Sequence, residues 1–257
     1  MKITIIGAGN MGGAIARGLA KSGHQSVTDI TVSDPFGEKL HALKAEYPNI
    51  NISDDNEEAV KGADYVILAV KPWLVGQVLR AIRLKGNQVL VSIASGISFE
   101  ELAHDVMVRE MPMFRVIPNT AISELESMTL IASRNTNKAQ NLFVQDIFYE
   151  MGRIMFLDEE KLAAATALSS CGIAYVLKYI QAAMQAGIEM GIRPDDAMEL
   201  VAQSAKGAAA LILERHTHPA VEIDKVTTPG GITIKGINEL EHAGFTSAII
   251  KAMKESR

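Results

Sequence analysis

The chain has 257 residues, 48% of them hydrophobic and 21% charged, enough apolar surface to bury a core, so disordered and fibrous classes are excluded. A formal net charge of −5 with no Lys/Arg cluster argues against nucleic acid as a partner, because phosphate binding relies on grouped cations. One cysteine, Cys171, leaves no intrachain disulfide and fits a reducing compartment.

Short apolar runs predict strands near Lys2–Ile6, Ile30–Ser33, Tyr65–Ala69, Val89–Ile93, Phe114–Ile117, Met128–Ala132 and Ile154–Phe156. They alternate with amphipathic stretches, as parallel strands joined by crossover helices do, and their continuous Ile, Val and Leu indicate burial on both faces. The first strand starts almost at Met1, so no signal peptide is expected, and the apolar segments seen are shorter than the ~20 residues of a bilayer span. A cytoplasmic protein with no membrane partner is the expectation.

Gly7-Ala8-Gly9-Asn10-Met11-Gly12 follows the first strand and opens a predicted helix, Met11 to Lys21. This GxGxxG in a strand–turn–helix context is a dinucleotide fingerprint, with a pyrophosphate resting on the helix N-terminus. The second strand ends in Ser33-Asp34, and Asp34 lies twenty-two residues beyond Gly12, close to the spacing of a ribose-binding acid. Its carboxylate would repel a 2′-phosphate by about 4 kcal/mol at ~4 Å and an effective dielectric of ~20, before screening. Pro35 also lacks an N–H for such a phosphate. The cofactor is therefore NADH or NADPH, with a lean to NAD, while Lys39 or Lys21 could offset the repulsion and Asp34 could instead cap the following helix. The acidic run around Asn56 (Asp54, Asp55, Glu57, Glu58) reads as a helix start. Ala69-Val70-Lys71-Pro72 and Ala94-Ser95-Gly96 fall at strand ends, where open α/β sheets bind ligands.

After Leu157 the β-branched runs give way to Ala, Met and Leu at helical spacing. The expected architecture is thus an α/β Rossmann domain with a mostly parallel doubly wound sheet (1–157), followed by an all-α domain (158–257). Ile173, Val176, Leu177, Ile180, Ala183, Met184, Gly187 and Ile188 form one apolar stripe, so their helix should be largely buried, against a second subunit or in an intrachain bundle. Cys171 reads as a packed turn residue. His216 and His218 diverge on a helix end, and no metal is expected. Further on, Thr227-Thr228-Pro229-Gly230-Gly231-Ile232-Thr233 precedes an amphipathic helix. Converging glycine N–H groups, a helix dipole and the Thr228 and Thr233 hydroxyls suit a small carboxylate, although an ordinary Pro-Gly-Gly turn would read the same way.

Together these motifs resemble the pyrroline-5-carboxylate reductase family, in the order Ile6 to Gly12, Asp55-Asn56, Ala69 to Pro72, Arg115-Val116-Ile117-Pro118-Asn119-Thr120 and Thr228 to Thr233. The resemblance covers the whole length and implies reduction of the cyclic imine pyrroline-5-carboxylate to L-proline, for proline biosynthesis, with NADPH or NADH. It implies that Asn56 contacts the cofactor ribose, that Val70, Lys71 and Pro72 line the cofactor, and that Asn119 lies near the nicotinamide. It also implies that backbone groups of Thr228, Gly231 and Ile232 hold the substrate carboxylate, with the catalytic Thr233 hydroxyl near the ring nitrogen. Family members form intertwined homodimers, often gathered into decamers, and take the carboxylate loop from the neighbouring subunit, so the second domain is expected to be a dimerisation domain. This chain departs from the usual family residues at Ile173 and Ala121, both usually proline, and at Ile232, commonly threonine. Two other readings stay open: a β-hydroxyacid dehydrogenase using Lys178 as base, which lacks the expected Asn at Ala182, and a non-catalytic dinucleotide sensor.

Overall fold

The computed structural model describes residues 1–256. Contacts divide the chain into two compact units, Met1–Ser170 and Cys171–Arg257. In the first, eight strands form one sheet in the order β3-β2-β1-β4-β5-β6-β7-β8. They are β1 (Lys2–Ile6), β2 (Asp29–Ser33), β3 (Asn51–Ser53), β4 (Tyr65–Leu68), β5 (Val89–Ser92), β6 (Met113–Ile117), β7 (Ser127–Arg134) and β8 (Gly152–Phe156). All pairings are parallel except β6 with β7, so the sheet is mostly parallel, as expected. β3, absent from the sequence reading, is a three-residue edge strand.

Alternate residues of the central strands feed two separate cores. Tyr65 and Ile67 of β4, Val89 and Val91 of β5, and Phe114 and Val116 of β6 face one cluster with Ile15, Leu19 and Phe148. Val66 and Leu68, Leu90, and Met113 and Ile117 face the other with Leu79, Phe99 and Leu102. Period-two alternation places successive side chains on opposite faces, so helices must cover both. The connecting helices are α1 (Asn10–Ser22), α2 (Gly37–Glu46), α3 (Asn56–Ala59), α4 (Val75–Ala81), α5 (Phe99–Asp105), α6 (Lys138–Tyr149) and α7 (Leu162–Thr166). Leu162 is buried in the second cluster and α7 packs on β7, which carries the first unit past the composition change at Leu157. Burial pushes the Tyr65 phenol up to about 12, with Asp64 adding to the shift.

The second unit holds α8 (Gly172–Glu189), α9 (Pro194–Arg215), α10 (Pro219–Val226), α11 (Ile232–His242) and α12 (Phe245–Glu255). Helices α8 and α9 pack closely, a Cβ on Gly187 lying 3.2 Å from the Ala197 methyl. Tyr175 donates its hydroxyl hydrogen to the Ala252 carbonyl oxygen at 3.3 Å and pairs with Ser256, tying α8 to α12. The expectation that the α8 stripe is largely buried is not met within one chain: only Gly172 and Gly187 are buried, and Val176, Leu177 and Ile188 are exposed. An intrachain bundle therefore does not cover it. The helical run 159–189 is, by length and composition, apolar enough to cross a membrane, with 11% of that window buried.

Candidate active site

The register of the parallel strands aligns their carboxyl ends. Ile6 lies opposite Ser33 and Leu68, Leu68 opposite Ser92, and Ser92 opposite Arg115. Loops 7–12, 34–36, 69–72, 93–96 and 118–119 thus all leave the same edge, the ligand-binding edge of an open α/β sheet.

The glycine loop shows a different constraint at each glycine. Gly7 has φ +107°, donates its N–H to the Ser33 carbonyl oxygen at 2.7 Å, and leaves no space for a Cβ, which would sit 2.5 Å from the Ala69 carbonyl oxygen. At Gly12 a Cβ would lie 1.9 Å from the Gly7 carbonyl oxygen, so α1 presses directly on the turn. A Cβ at Gly9 would meet nothing within 4 Å, and no side chain caps α1. The packing of the chain itself does not require a glycine there. The open N–H groups at this helix start, at Asn10 and Met11 beyond Gly9, have the chemistry that suits a pyrophosphate.

Asp34 takes a role that its spacing does not suggest. It is 7% exposed; its Oδ2 accepts from the Ala8 N–H at 2.7 Å and its Oδ1 from the Phe36 N–H at 2.9 Å. One carboxylate therefore clamps the glycine loop to the turn after β2. Beside it, Ser33 Oγ donates to Asn56 Oδ1 at 2.7 Å, which turns the Asn56 amide donors toward other partners. Asp55 caps α3 by accepting from the Glu58 N–H at 3.1 Å, in line with the reading of the acidic run.

Ala69 is held by its N–H to the Ile6 carbonyl oxygen at 2.8 Å, and Lys71 then enters a short turn, Pro72–Leu74, with its side chain exposed. Asn119 is 7% exposed and bonded at both ends of its amide: Oδ1 accepts from the Ala121 N–H at 3.1 Å and Nδ2 donates to the Ser169 carbonyl oxygen at 3.3 Å. It fixes the loop more than it offers groups to a ligand. The sequence reading missed the ion pair behind this loop. Arg115, buried in β6, donates to Glu159 Oε1 at 2.6 Å, and the same oxygen accepts from the Phe99 N–H at 2.7 Å. A charged residue inside an otherwise apolar strand was its signal.

In the second unit, Gly230 has φ +72°, and the Gly231 N–H donates to the Thr228 carbonyl oxygen at 3.0 Å. A Cβ on Gly231 would lie 2.7 Å from Thr228 Oγ1, so its glycine serves close packing of the turn, and its N–H is already engaged. The open donors are those of the first turn of α11, which has no side-chain cap, flanked by the exposed Thr228, Ile232 and Thr233. The preceding α10 is pinned by Glu222, which accepts from Lys225 and from Thr217, each at 2.6 Å; these partners, Lys225 first, hold its carboxyl below the usual range. Lys178 is exposed and donates to Gln181 at 3.0 Å, as a solvated residue does. His218 caps α10 by accepting from the Ala220 N–H at 3.2 Å.

A parallel sheet with a glycine turn at its carboxyl edge and an uncapped helix above it defines a dinucleotide-binding protein of the Rossmann class. Residues 2–96 match the family model described as NADP oxidoreductase, coenzyme F420-dependent, and residues 159–257 match pyrroline-5-carboxylate reductase dimerisation. The chain is 38% identical to pyrroline-5-carboxylate reductase 2 of Dictyostelium discoideum over 98% of its own length and 89% of that protein's. It is 37% identical to pyrroline-5-carboxylate reductase 1 of the same organism over 99% of its length, but spans only 48% of that longer protein. The structure of Plasmodium falciparum pyrroline carboxylate reductase with NADP bound superposes with a TM-score of 0.89 at 28% identity, covering 100% of this chain and 95% of that one. The chain belongs to the pyrroline-5-carboxylate reductase family.

Proposed function

We propose that this chain reduces pyrroline-5-carboxylate to L-proline with a nicotinamide cofactor, as a homodimer. The observation that carries the reading is the pair of uncapped helix starts, each preceded by a glycine turn. One is shaped for a pyrophosphate at α1 and one for a small carboxylate at α11. The match of the second unit to a dimerisation domain supports the homodimer, whose partner would cover the exposed α8 stripe.

Reducing a C=N bond needs a hydride on carbon and a proton on nitrogen. The bound reduced nicotinamide supplies the hydride. The turn from Gly7 to Gly12 would hold the pyrophosphate, through the open N–H groups at the start of α1 and not those of Gly7 and Ala8, which are bonded to Ser33 and Asp34; the Asn56 amide would hold a ribose hydroxyl, and Ala69 to Pro72 and the Asn119 loop the nicotinamide side. The first-turn N–H groups of α11 would orient the carboxylate, while the Thr233 hydroxyl donates to the ring nitrogen and passes a proton from solvent. Such a reaction asks little of side-chain acids, and orientation alone can supply as much as ~7–11 kcal/mol.

NADH is the favoured cofactor, with NADPH accepted. Asp34 puts a buried carboxylate at the end of β2, and Pro35 beside it has no N–H to offer a 2′-phosphate. The test is an absorbance assay of cofactor oxidation with pyrroline-5-carboxylate and other small imines, using NADH and NADPH in turn. Turnover of pyrroline-5-carboxylate well above the other imines, faster with NADH at limiting cofactor, is expected; binding of cofactor without turnover of any imine would reject the enzyme.

A further inference from the structure

The helical run 159–189 contains one irregular turn that takes no part in the proposed chemistry. Between α7 and α8, Ala167–Cys171 winds as a π-helical turn, in which each backbone bond spans one residue more than in an α-helix. The local sequence loosens the ladder. Thr166 donates its hydroxyl to the Leu162 carbonyl oxygen at 2.6 Å and Ser169 donates to that of Ala165 at 3.1 Å, and bonds to the residue four back compete with the helix's own. Single wide turns of this kind are frequent where a helix meets a functional site.

Two adjacent residues of the turn meet two adjacent residues of the loop after β6. The Ser169 carbonyl oxygen accepts from Asn119 Nδ2 at 3.3 Å, and Ser170 Oγ donates to the Pro118 carbonyl oxygen at 3.4 Å. All four residues lie in the first unit. A regular helix directs its carbonyls along its own axis, whereas a widened turn leaves one open to a donor from outside. The other end of the Asn119 amide caps the short turn Thr120–Glu124, and the Asn119 N–H donates to Ser127 Oγ at 3.2 Å, so the loop is gripped from three sides. The run itself is anchored upstream, where Glu159 holds Arg115 and the Phe99 N–H.

We infer that the π turn is a positioning element of the imine-reducing site: Ser169 and Ser170 clasp Pro118-Asn119, and Asn119 acts through that clasp instead of touching the ligand. This rests on the reductase reading under Proposed function and deepens it. The loop stands at the ligand-binding edge of the sheet, on the nicotinamide side, so its placement sets the distance between hydride donor and imine carbon. A misplacement of ~1 Å there can cost about a hundredfold in rate, while the pyrophosphate turn between β1 and α1 is left as it was.

Steady-state kinetics of the full chain with NADH and pyrroline-5-carboxylate, beside calorimetric titration with NADH, test the assignment. Asn119→Asp keeps the oxygen that caps the following turn and replaces the donor to Ser169 with a second oxygen. Its kcat is expected to fall by about fivefold to a hundredfold, with the NADH Kd within about twofold of the parent. Ser170→Ala should lower kcat by about three- to tenfold, and Ser170→Thr, which returns the hydroxyl, should restore it. Because both variants open one clasp, the double variant should be no more than about twofold slower than Asn119→Asp alone. The Ser170 pair decides by itself if Asn119→Asp does not fold. A kcat near the parent's in both single variants, an NADH Kd that weakens as much as kcat falls, no rescue by Ser170→Thr, or losses that multiply in the double variant overturns the assignment. A parent chain that binds NADH and reduces no imine overturns the reductase reading as well, so the two failures are told apart.

Discussion

The two units of this chain solve the burial problem differently. In the first, strands β1, β4, β5 and β6 are almost wholly buried, and every alternate side chain finds a neighbour inside the same chain. In the second, α10, α11 and α12 contain no buried residue at all, and α9 contains only Ala197. So few buried side chains make a thin core, and with the match of residues 159–257 to a dimerisation domain they mark the second unit as one half of a core completed by a second copy. The nucleotide half is thus buried within the monomer, whereas the helices of the second unit, with the Thr228–Thr233 loop among them, depend on assembly for their burial.

The sharpest way to break that contrast is at α9. Leu200, Ser204, Gly207 and Leu211 share one face, with both leucines exposed. Leu200→Asp together with Leu211→Asp removes two apolar side chains from the dimer, at about 1.5–3 kcal/mol each, so the dimer Kd should rise by roughly a hundredfold or more in light-scattering measurements. The isolated monomer should still bind NADH. Conversely, Gly12→Ala forces a methyl onto the Gly7 carbonyl oxygen and should cost about 3 kcal/mol at the glycine turn, roughly a hundredfold in NADH affinity, while the dimer persists.

Thr233→Ala removes one hydrogen bond to a partly charged nitrogen, worth about 1.5–3 kcal/mol, so kcat/KM for the imine should fall about ten- to a hundredfold. The NADH dissociation constant should not move, and an unchanged kcat/KM would remove Thr233 from the mechanism. Smallest is the effect of Tyr65 in the monomer core. Its phenol is raised from 10 to about 12 in the folded state, so the stability it contributes is complete below pH 10 and is lost as pH climbs toward about 12. Tyr65→Phe should flatten the alkaline unfolding curve over that window in chemical denaturation.

Sequence made the central strands and the glycine turn legible, because each needs only local information: a run of Ile, Val and Leu, and glycines at fixed spacing. β3 was not legible, since Asn51-Ile52-Ser53 is short, polar and at the sheet edge, and becomes a strand only through pairing with Thr31 to Ser33. The antiparallel direction of β7 was equally hidden, as a buried strand reads alike in either sense. The apolar stripe of α8 was visible, and with it two ways to cover it, a second subunit or an intrachain bundle; only the exposure of Val176, Leu177 and Ile188 sets the bundle aside. Asp34 is the instructive residue. Its spacing from Gly12 announced a ligand contact, yet its bond to Ala8, twenty-six positions away, depends on β1 and β2 lying side by side. A position can fit a motif and carry a structural task as well.

That double attachment of Asp34 constrains how the coenzyme choice of this scaffold can drift. Elsewhere, an acid at the end of the second strand can be exchanged for a neutral or basic residue to admit a phosphorylated ribose. Here the same exchange would unhook Ala8 and Phe36 together, loosening the turn on which any dinucleotide rests. Retargeting between the two coenzymes, by natural variation or by an engineer, is therefore steered toward side chains around the carboxylate, and the acid itself is inherited as architecture.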